Sequence, residues 1–172
     1  GSCLHKVPQT CFNCLPFLHL KIILLRGFRM ENMNIREIAL RTITLEAQAI
    51  GELASFIDAD FEKITHLLAD MKGRLVISGI GKSAIIGAKI VATLNSTGTP
   101  AIFMHAADAI HGDLGMVQKD DVVMVISKSG ESPEIRLLVP LIKNMGNPLV
   151  GMVGNIASLL AKEANFVLNT TV

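Results

Sequence analysis

A parallel α/β sheet with helices on both faces is the fold class this sequence predicts, and two features carry it. From residue 74 onward, strand-like and helix-like segments alternate. The strand segments RLVISGIG (74–81), AIFMH (101–105), DVVMVIS (121–127) and PLVGMVG (148–154) are continuously apolar, with no polar alternation. Strands read this way when both of their faces are covered. NFVLNT (165–170) opens a fifth strand.

The elements follow in order. In IREIALRTITLEAQAIGELASF (35–56) apolar residues recur mostly at three- and four-residue spacings, which predicts an amphipathic helix. Asp58 is the predicted N-cap of a second helix running to Leu68. KSAIIGAKIVATLNSTG (82–98) reads as a helix rich in small residues. PEIRLLVPLIKNMG (133–146) reads as a helix with Pro133 in its first turn, where a missing N–H costs nothing, and with Pro140 as a candidate kink. IASLLAKEA (156–164) reads as a short helix before the last strand.

The chain has 172 residues, half of them hydrophobic and 18% charged, which excludes a disordered chain and allows one domain with a real core. A net charge of +1 argues against a general nucleic-acid binder. Lys6, Lys21, Arg26 and Arg29 make residues 1–29 basic, with no acid among them. All three cysteines, Cys3, Cys11 and Cys14, also lie there, so the globular part needs no disulfide and a reducing, cytoplasmic setting is expected. Cys11 and Cys14 have the spacing of half a zinc site, with only Cys3 and His5 nearby. The apolar run Leu15–Leu25 is broken by His19 and Lys21 and is shorter than the roughly 20 residues a membrane span needs. The preferred reading makes Gly1-Ser2 a cloning remnant, residues 1–29 a non-native or disordered extension, and Met30 the natural start.

In parallel sheets, ligands bind beyond the carboxyl ends of the strands, so the loops after strands hold the candidate chemistry. SKSGESPE (127–134) leads straight into a helix, whose free N–H groups and dipole favour an anion. Ser127, Ser129 and Ser132 add hydroxyls, and Gly130 allows close approach of the backbone. Two readings stand: a phosphate cradle beside an acid, or a plain turn in which Ser132 caps the helix. SGIGKS (78–83) fits neither the P-loop nor the dinucleotide-binding spacing, because Gly79 and Gly81 are too close and Ala84 stands where a third glycine would be. Lys82 at a helix start opposes the dipole and gains its use from an anion beside it; the alternative is an ordinary surface lysine. HAADAIHGDLG (105–115) reads as a loop presenting His111, while His5, His19, His66 and His105 have weaker contexts. No metal or cofactor is expected.

GIGKSAIIGAKIVATLNSTGTPAIFMHAADAIHGDLGMV (79–117) and DVVMVISKSGESPEI (121–135) together resemble the sugar isomerase (SIS) domain family, and most closely its arabinose 5-phosphate isomerase branch. The resemblance covers about residues 35–172. It implies a five-stranded parallel sheet in a flavodoxin- or Rossmann-like three-layer fold. It also implies interconversion of D-ribulose 5-phosphate and D-arabinose 5-phosphate through an enediol, feeding 3-deoxy-D-manno-octulosonate for lipopolysaccharide. By the same resemblance Lys82 and Glu134 are catalytic, His111 faces the sugar, and Ser127, Ser129, Gly130, Ser132 and Ser83 hold the phosphate. A homodimer or homotetramer is implied, with no nucleic acid or membrane as partner.

By the resemblance, the family's K-E-A-C-P-like block, a later histidine, its final helices and the paired CBS domains of its longer members would fall beyond Val172. The expectation is a C-terminally truncated SIS domain at 30–172 that binds sugar phosphate weakly and turns over slowly or not at all. The competing readings are a non-catalytic phosphosugar sensor and another phosphosugar isomerase on the same fold, such as one acting on sedoheptulose 7-phosphate. The pairing of Lys82 with Glu134 favours the enzyme over the sensor, and HGDLGMV favours the arabinose 5-phosphate branch.

Overall fold

The computed structural model describes residues 34–171, so the expectations for Cys3, His5, Cys11, Cys14, Leu15–Leu25 and Met30 lie outside the described residues. The chain divides into two units, residues 1–52 and 53–172. In the first, helix α1 (Ile35–Glu52) is opened by Asn34, whose Oδ1 accepts from the Glu37 amide at 3.2 Å. None of its residues is buried; Ile35, Leu40, Ile43, Leu45 and Ile50 stand exposed along it. The predicted helix to residue 56 stops at Glu52, and Leu53–Phe56 tighten into a 3-10 turn just after Gly51, a poor helix former.

The second unit carries the sheet. Helix α2 (Ala59–Asp70) starts where predicted, with Asp58 accepting from the amides of Asp60 and Phe61. Strands β1 (Leu75–Gly79), β2 (Ala101–His105), β3 (Val122–Ser127), β4 (Leu149–Val153) and β5 (Phe166–Asn169) form one fully parallel sheet in the order β2-β1-β3-β4-β5. Between them run α3 (Lys82–Ser96), α4 (Ala106–Ile110), a 3-10 turn (Asp113–Met116), α5 (Pro133–Met145) and α6 (Leu159–Glu163). Ile64 of α2 and Ile90, Val91 and Leu94 of α3 pack against Leu75, Ile77, Met124 and Ile126 on one face. Ala106 and Ala109 of α4, Ile135, Leu138 and Ile142 of α5, and Leu160 of α6 cover Val76, Val123 and Val125 on the other. Covering both faces is what makes the strands continuously apolar.

Further boundaries differ from the sequence reading. Residues 106–110 are helical and 113–116 form a 3-10 turn, so the segment 105–115 is not an open loop; Ala106 and Ala109 are drawn into the core. Strand β1 ends at Gly79 and not at 81, so of the two overlapping readings of Ser78 and Gly79, strand 74–81 and loop 78–83, the strand holds. The short helix begins at Leu159 and not at 156. Asn155 Oδ1 takes the Ala157 amide, and Ser158 caps the helix by accepting from Ala161, so side chains compete locally for the backbone. Helix α5 continues through Pro140, which lies on its exposed face.

Two fastenings hold the amino ends of the strands and one edge. Asp121, 1% exposed, accepts from the Arg74 amide and Nη2 at 2.8 Å each and from the Gln118 amide at 2.9 Å. Arg74 Nη2 also reaches the Met116 carbonyl. At the other end of the sheet, Asp60 of α2 accepts from the Val167 amide of edge strand β5, satisfying a donor that the sheet leaves open.

Burial alone would push the Asp121 carboxyl up. The Arg74 side-chain hydrogen bond, the Gln118 and Arg74 amides and the guanidinium charge outweigh it and hold the group below its ordinary value. A carboxyl lowered by folding adds stability above its unfolded value and loses it as pH falls through the folded one. Asp121→Ala should therefore cost about 3 kcal/mol at neutral pH, because it strips the charged partner of Arg74 and two amides. Thermal melting followed from neutral to strongly acid pH should show an acid decline in the wild type that is shallower in Asp121→Asn. Parallel declines would contradict this.

Candidate functional site

Strand order reverses between β1 and β3, which run side by side with Gly79 paired to Ile126. At such a reversal the two following connections leave on opposite faces and open a crevice at the carboxyl edge. A side chain at Gly79 would be crowded: a Cβ there would stand 3.1 Å from the Ile126 carbonyl oxygen and 3.2 Å from the Ser83 backbone. The first turn of α3 is thus drawn against the end of β3. Gly81, at φ +59°, makes the turn and has no side chain with which to cap α3. Lys82 is the first residue of α3, exposed, and Ser83 is the second, partly buried.

The β3 connection is more closely tied. Ser127 ends the strand, 6% exposed, and its Oγ accepts from the Gly130 amide at 3.0 Å. Ser129 Oγ accepts from the Glu131 amide at 3.3 Å. Both hydroxyls keep their own protons for donation. Gly130 turns back at φ +63°, and a Cβ there would fall 2.1 Å from Ser158 Oγ. Its carbonyl takes the Leu160 amide, and the Lys128 carbonyl takes the Gly154 amide. The loop is thereby fastened to the connection after β4.

Ser132 occupies the N-cap position of α5 in extended geometry, yet makes no capping bond, and its Oγ is buried without a partner. The reading of Ser132 as a simple cap is therefore wrong. Pro133 fills N1 without an N–H, and Glu134 follows in the first turn, partly buried. The positive end of α5, an open hydroxyl and two serines with spare protons face one edge. That is an arrangement of neutral donors suited to an anion.

Ser78 was not singled out by the sequence reading. It is 0% exposed and its Oγ has no partner. It pairs with Val125 on β3 and with Met104 on β2, and by alternation it shares the face of Val76, Val125 and Ser127, the face covered by α5. The signal was one hydroxyl inside an otherwise apolar strand run. His111 lies one connection further out, exposed, at the carboxyl end of α4 after β2, its amide bonded to the Asp108 carbonyl. Topology brings Lys82, Ser83, His111, Ser127–Ser132 and Glu134 to the same edge of the sheet.

A cavity of about 570 Å³ lies at the opposite edge, between Lys63, His66, Asp70, Lys119 and Pro148. None of its lining residues carries a buried polar atom lacking a partner, whereas Ser78 and Ser132 at the carboxyl edge do. Open hydrogen-bonding capacity among the described residues thus lies at the carboxyl edge and not in that cavity. Among the described residues no group of three or more His, Cys, Asp or Glu side chains is placed to hold a metal ion, and no helix is long and apolar enough to cross a membrane.

A family model described as the SIS domain matches residues 67–172. A probable arabinose 5-phosphate isomerase of Haemophilus influenzae is 45% identical over 142 residues, covering 83% of this chain and 42% of that protein. Arabinose 5-phosphate isomerase KdsD of Pseudomonas aeruginosa is 49% identical over 142 residues, covering 83% of this chain and 44% of that one. The chain thus spans less than half the length of these relatives. Among solved structures, an E. coli CFT073 protein in complex with arabinose 5-phosphate aligns with a TM-score of 0.70 at 38% identity, covering 81% of this chain and 76% of that one. Vibrio vulnificus NanR, complexed with ManNAc-6P, shares the fold with a TM-score of 0.65 at 19% identity over 77% of this chain and 52% of its own. On the match of the family model and on these identities, the chain belongs to the SIS domain family.

Proposed function

We propose that this chain is the sugar-phosphate domain of an aldose–ketose isomerase that interconverts D-arabinose 5-phosphate and D-ribulose 5-phosphate. The observation that carries the reading is the unpartnered, buried Ser132 hydroxyl at the start of α5, beside a serine loop at the strand-order reversal. The names of the curated relatives and the neighbour solved with arabinose 5-phosphate support the choice of sugar. In this reading the hydroxyls of Ser127, Ser129, Ser132 and Ser83 donate to the phosphate, and Gly130 lets the loop close on it.

The reaction moves one proton between neighbouring carbons. A base removes the proton on C2 of the open-chain aldose and O1 takes up a proton, giving the enediol; O2 then gives up its hydroxyl proton, equivalent to the one O1 gained, as the carbon-bound proton returns to C1, leaving a carbonyl at C2. Glu134 carries that proton, and Lys82 neutralises the developing enediolate oxygen. His111 faces the sugar and assists ring opening. The product aldose would feed 3-deoxy-D-manno-octulosonate synthesis in the cytoplasm. The chain would act as a homo-oligomer, a reading supported by the uncovered Ile35, Leu40, Ile43, Leu45 and Ile50 of α1.

Isomerisation of D-arabinose 5-phosphate, followed as ketose formation, tests the proposal on this chain and on a form extended through the family's downstream block. Lys82→Ala and Glu134→Gln should each lower kcat of the active form by about 10²–10⁴ with the melting temperature kept. A protein that binds the sugar phosphate and never converts it would instead be a sensor. Gly130→Ala should cost roughly 2–3 kcal/mol, since it combines a strained φ with a collision against Ser158, and should abolish phosphate binding. Unchanged melting and affinity in that variant would count against the cradle.

A further inference from the structure

Glu131 is an acid in the middle of the loop assigned to a phosphate, where a bare carboxylate would repel the ligand. Both of its oxygens are engaged elsewhere. Oε1 accepts from the Leu159 amide at 2.6 Å, at the start of α6. Oε2 stands 2.5 Å from Arg136 Nη2, an ion pair not aligned as a hydrogen bond. The same guanidinium donates through Nε to the backbone carbonyl of Glu131 at 3.1 Å, so Arg136 folds back from α5 over this one residue. Around it, the Gly154 and Leu160 amides hold the carbonyls of Lys128 and Gly130. The carboxylate is thus one of three ties between the serine loop and the β4–α6 connection, and the only one made by a side chain of the loop among these.

We propose that Glu131 is a positioning residue of the phosphate cradle. Its carboxylate locks the Ser127–Ser132 loop onto the start of α6, and Arg136 cancels its charge so that the loop can receive an anion. The inference rests on the phosphate reading of the loop but adds a division of labour to it. Arg136 acts through Glu131 and not on the ligand. Glu131 is about one third exposed and Arg136 about three fifths, so solvent screens the pair and the charge effect is moderate.

The test is a titration of the full 172-residue chain, read by backbone amide chemical shifts, once with inorganic phosphate and once with D-arabinose 5-phosphate. Arg136→Met leaves the carboxylate uncovered and should weaken either anion about tenfold. Glu131→Gln keeps an acceptor for the Leu159 amide and removes the charge, so it should bind within about threefold of wild type. The double variant should recover most of the loss seen in Arg136→Met, a rescue that a purely structural role would not produce. Glu131→Ala should bind at least about fivefold more weakly and exchange its Leu159 amide faster at an unchanged melting temperature. If the double variant binds no better than Arg136→Met, Arg136 touches the anion directly and the proposal is overturned. It is equally overturned if Glu131→Ala binds as wild type does. Binding of phosphate without the sugar phosphate would sink the isomerase reading and leave this one to be decided by the same variants. A chain that binds neither anion overturns both.

Discussion

The pairing of β1 with β3, Gly79 against Ile126, is the constraint on which the site depends. It joins strands that are not consecutive in the chain and places the strand-order reversal at the centre of the sheet. Because helices cover both faces among the described residues, the sheet's ends are where connections and ligands can meet its backbone. Gly79 sharpens this: without a Cβ it lets the first turn of α3 close on the end of β3, and a larger residue would wedge the two connections apart. Gly130 does the same for the second connection, where its lack of a side chain admits Ser158. Two glycines therefore set how near the α3 and α5 helix starts lie to the edge where a ligand would sit.

The two ends of the sheet are built on opposite principles. At the amino end, polar groups are satisfied: Asp121 accepts from Arg74 and Gln118, and Asn147 donates to the carbonyls of Gln118 and Asp121. At the carboxyl end, the hydroxyls of Ser78 and Ser132 are buried without partners. An unmade hydrogen bond of this kind costs about 1–3 kcal/mol. The polar groups named at the amino end are satisfied, while these two hydroxyls at the carboxyl end keep hydrogen-bonding capacity in reserve. In the loop after β3 the Glu131 carboxylate is likewise engaged, by the Leu159 amide and by Arg136.

Much of this was legible in the chain itself. Continuous apolar runs marked β1, β3 and β4, because strands covered on both faces leave no alternation to misread. Asp58 and Pro133 marked helix starts through local chemistry alone, a carboxylate within reach of two amides and a ring that needs no donor. The order of the glycine, histidine and serine motifs was enough to mark the family, since those residues serve turns and hydroxyl donors that few other folds require in that sequence.

What the sequence could not decide was every feature that depends on neighbours distant in the chain. Ser132 had the residue type and position of a helix cap, and only packing showed that its hydroxyl makes no cap bond. Ser78 fell both in the strand segment 74–81 and in the motif 78–83, and pairing with Met104 and Val125 decided for the sheet. Residues 105–115 looked like an open loop because a five-residue helix has no periodicity to detect, and it was the core contact of Ala106 and Ala109 that ordered it. The destination of the Glu131 carboxylate, an amide 28 residues away, has no local signature at all. The sequence by itself determined the alternation of elements, the Asp58 cap and the chemical types gathered in each connection. The tertiary structure decided which of those groups are already satisfied and which remain open, because hydrogen-bond satisfaction is a property of contacts and not of residue types.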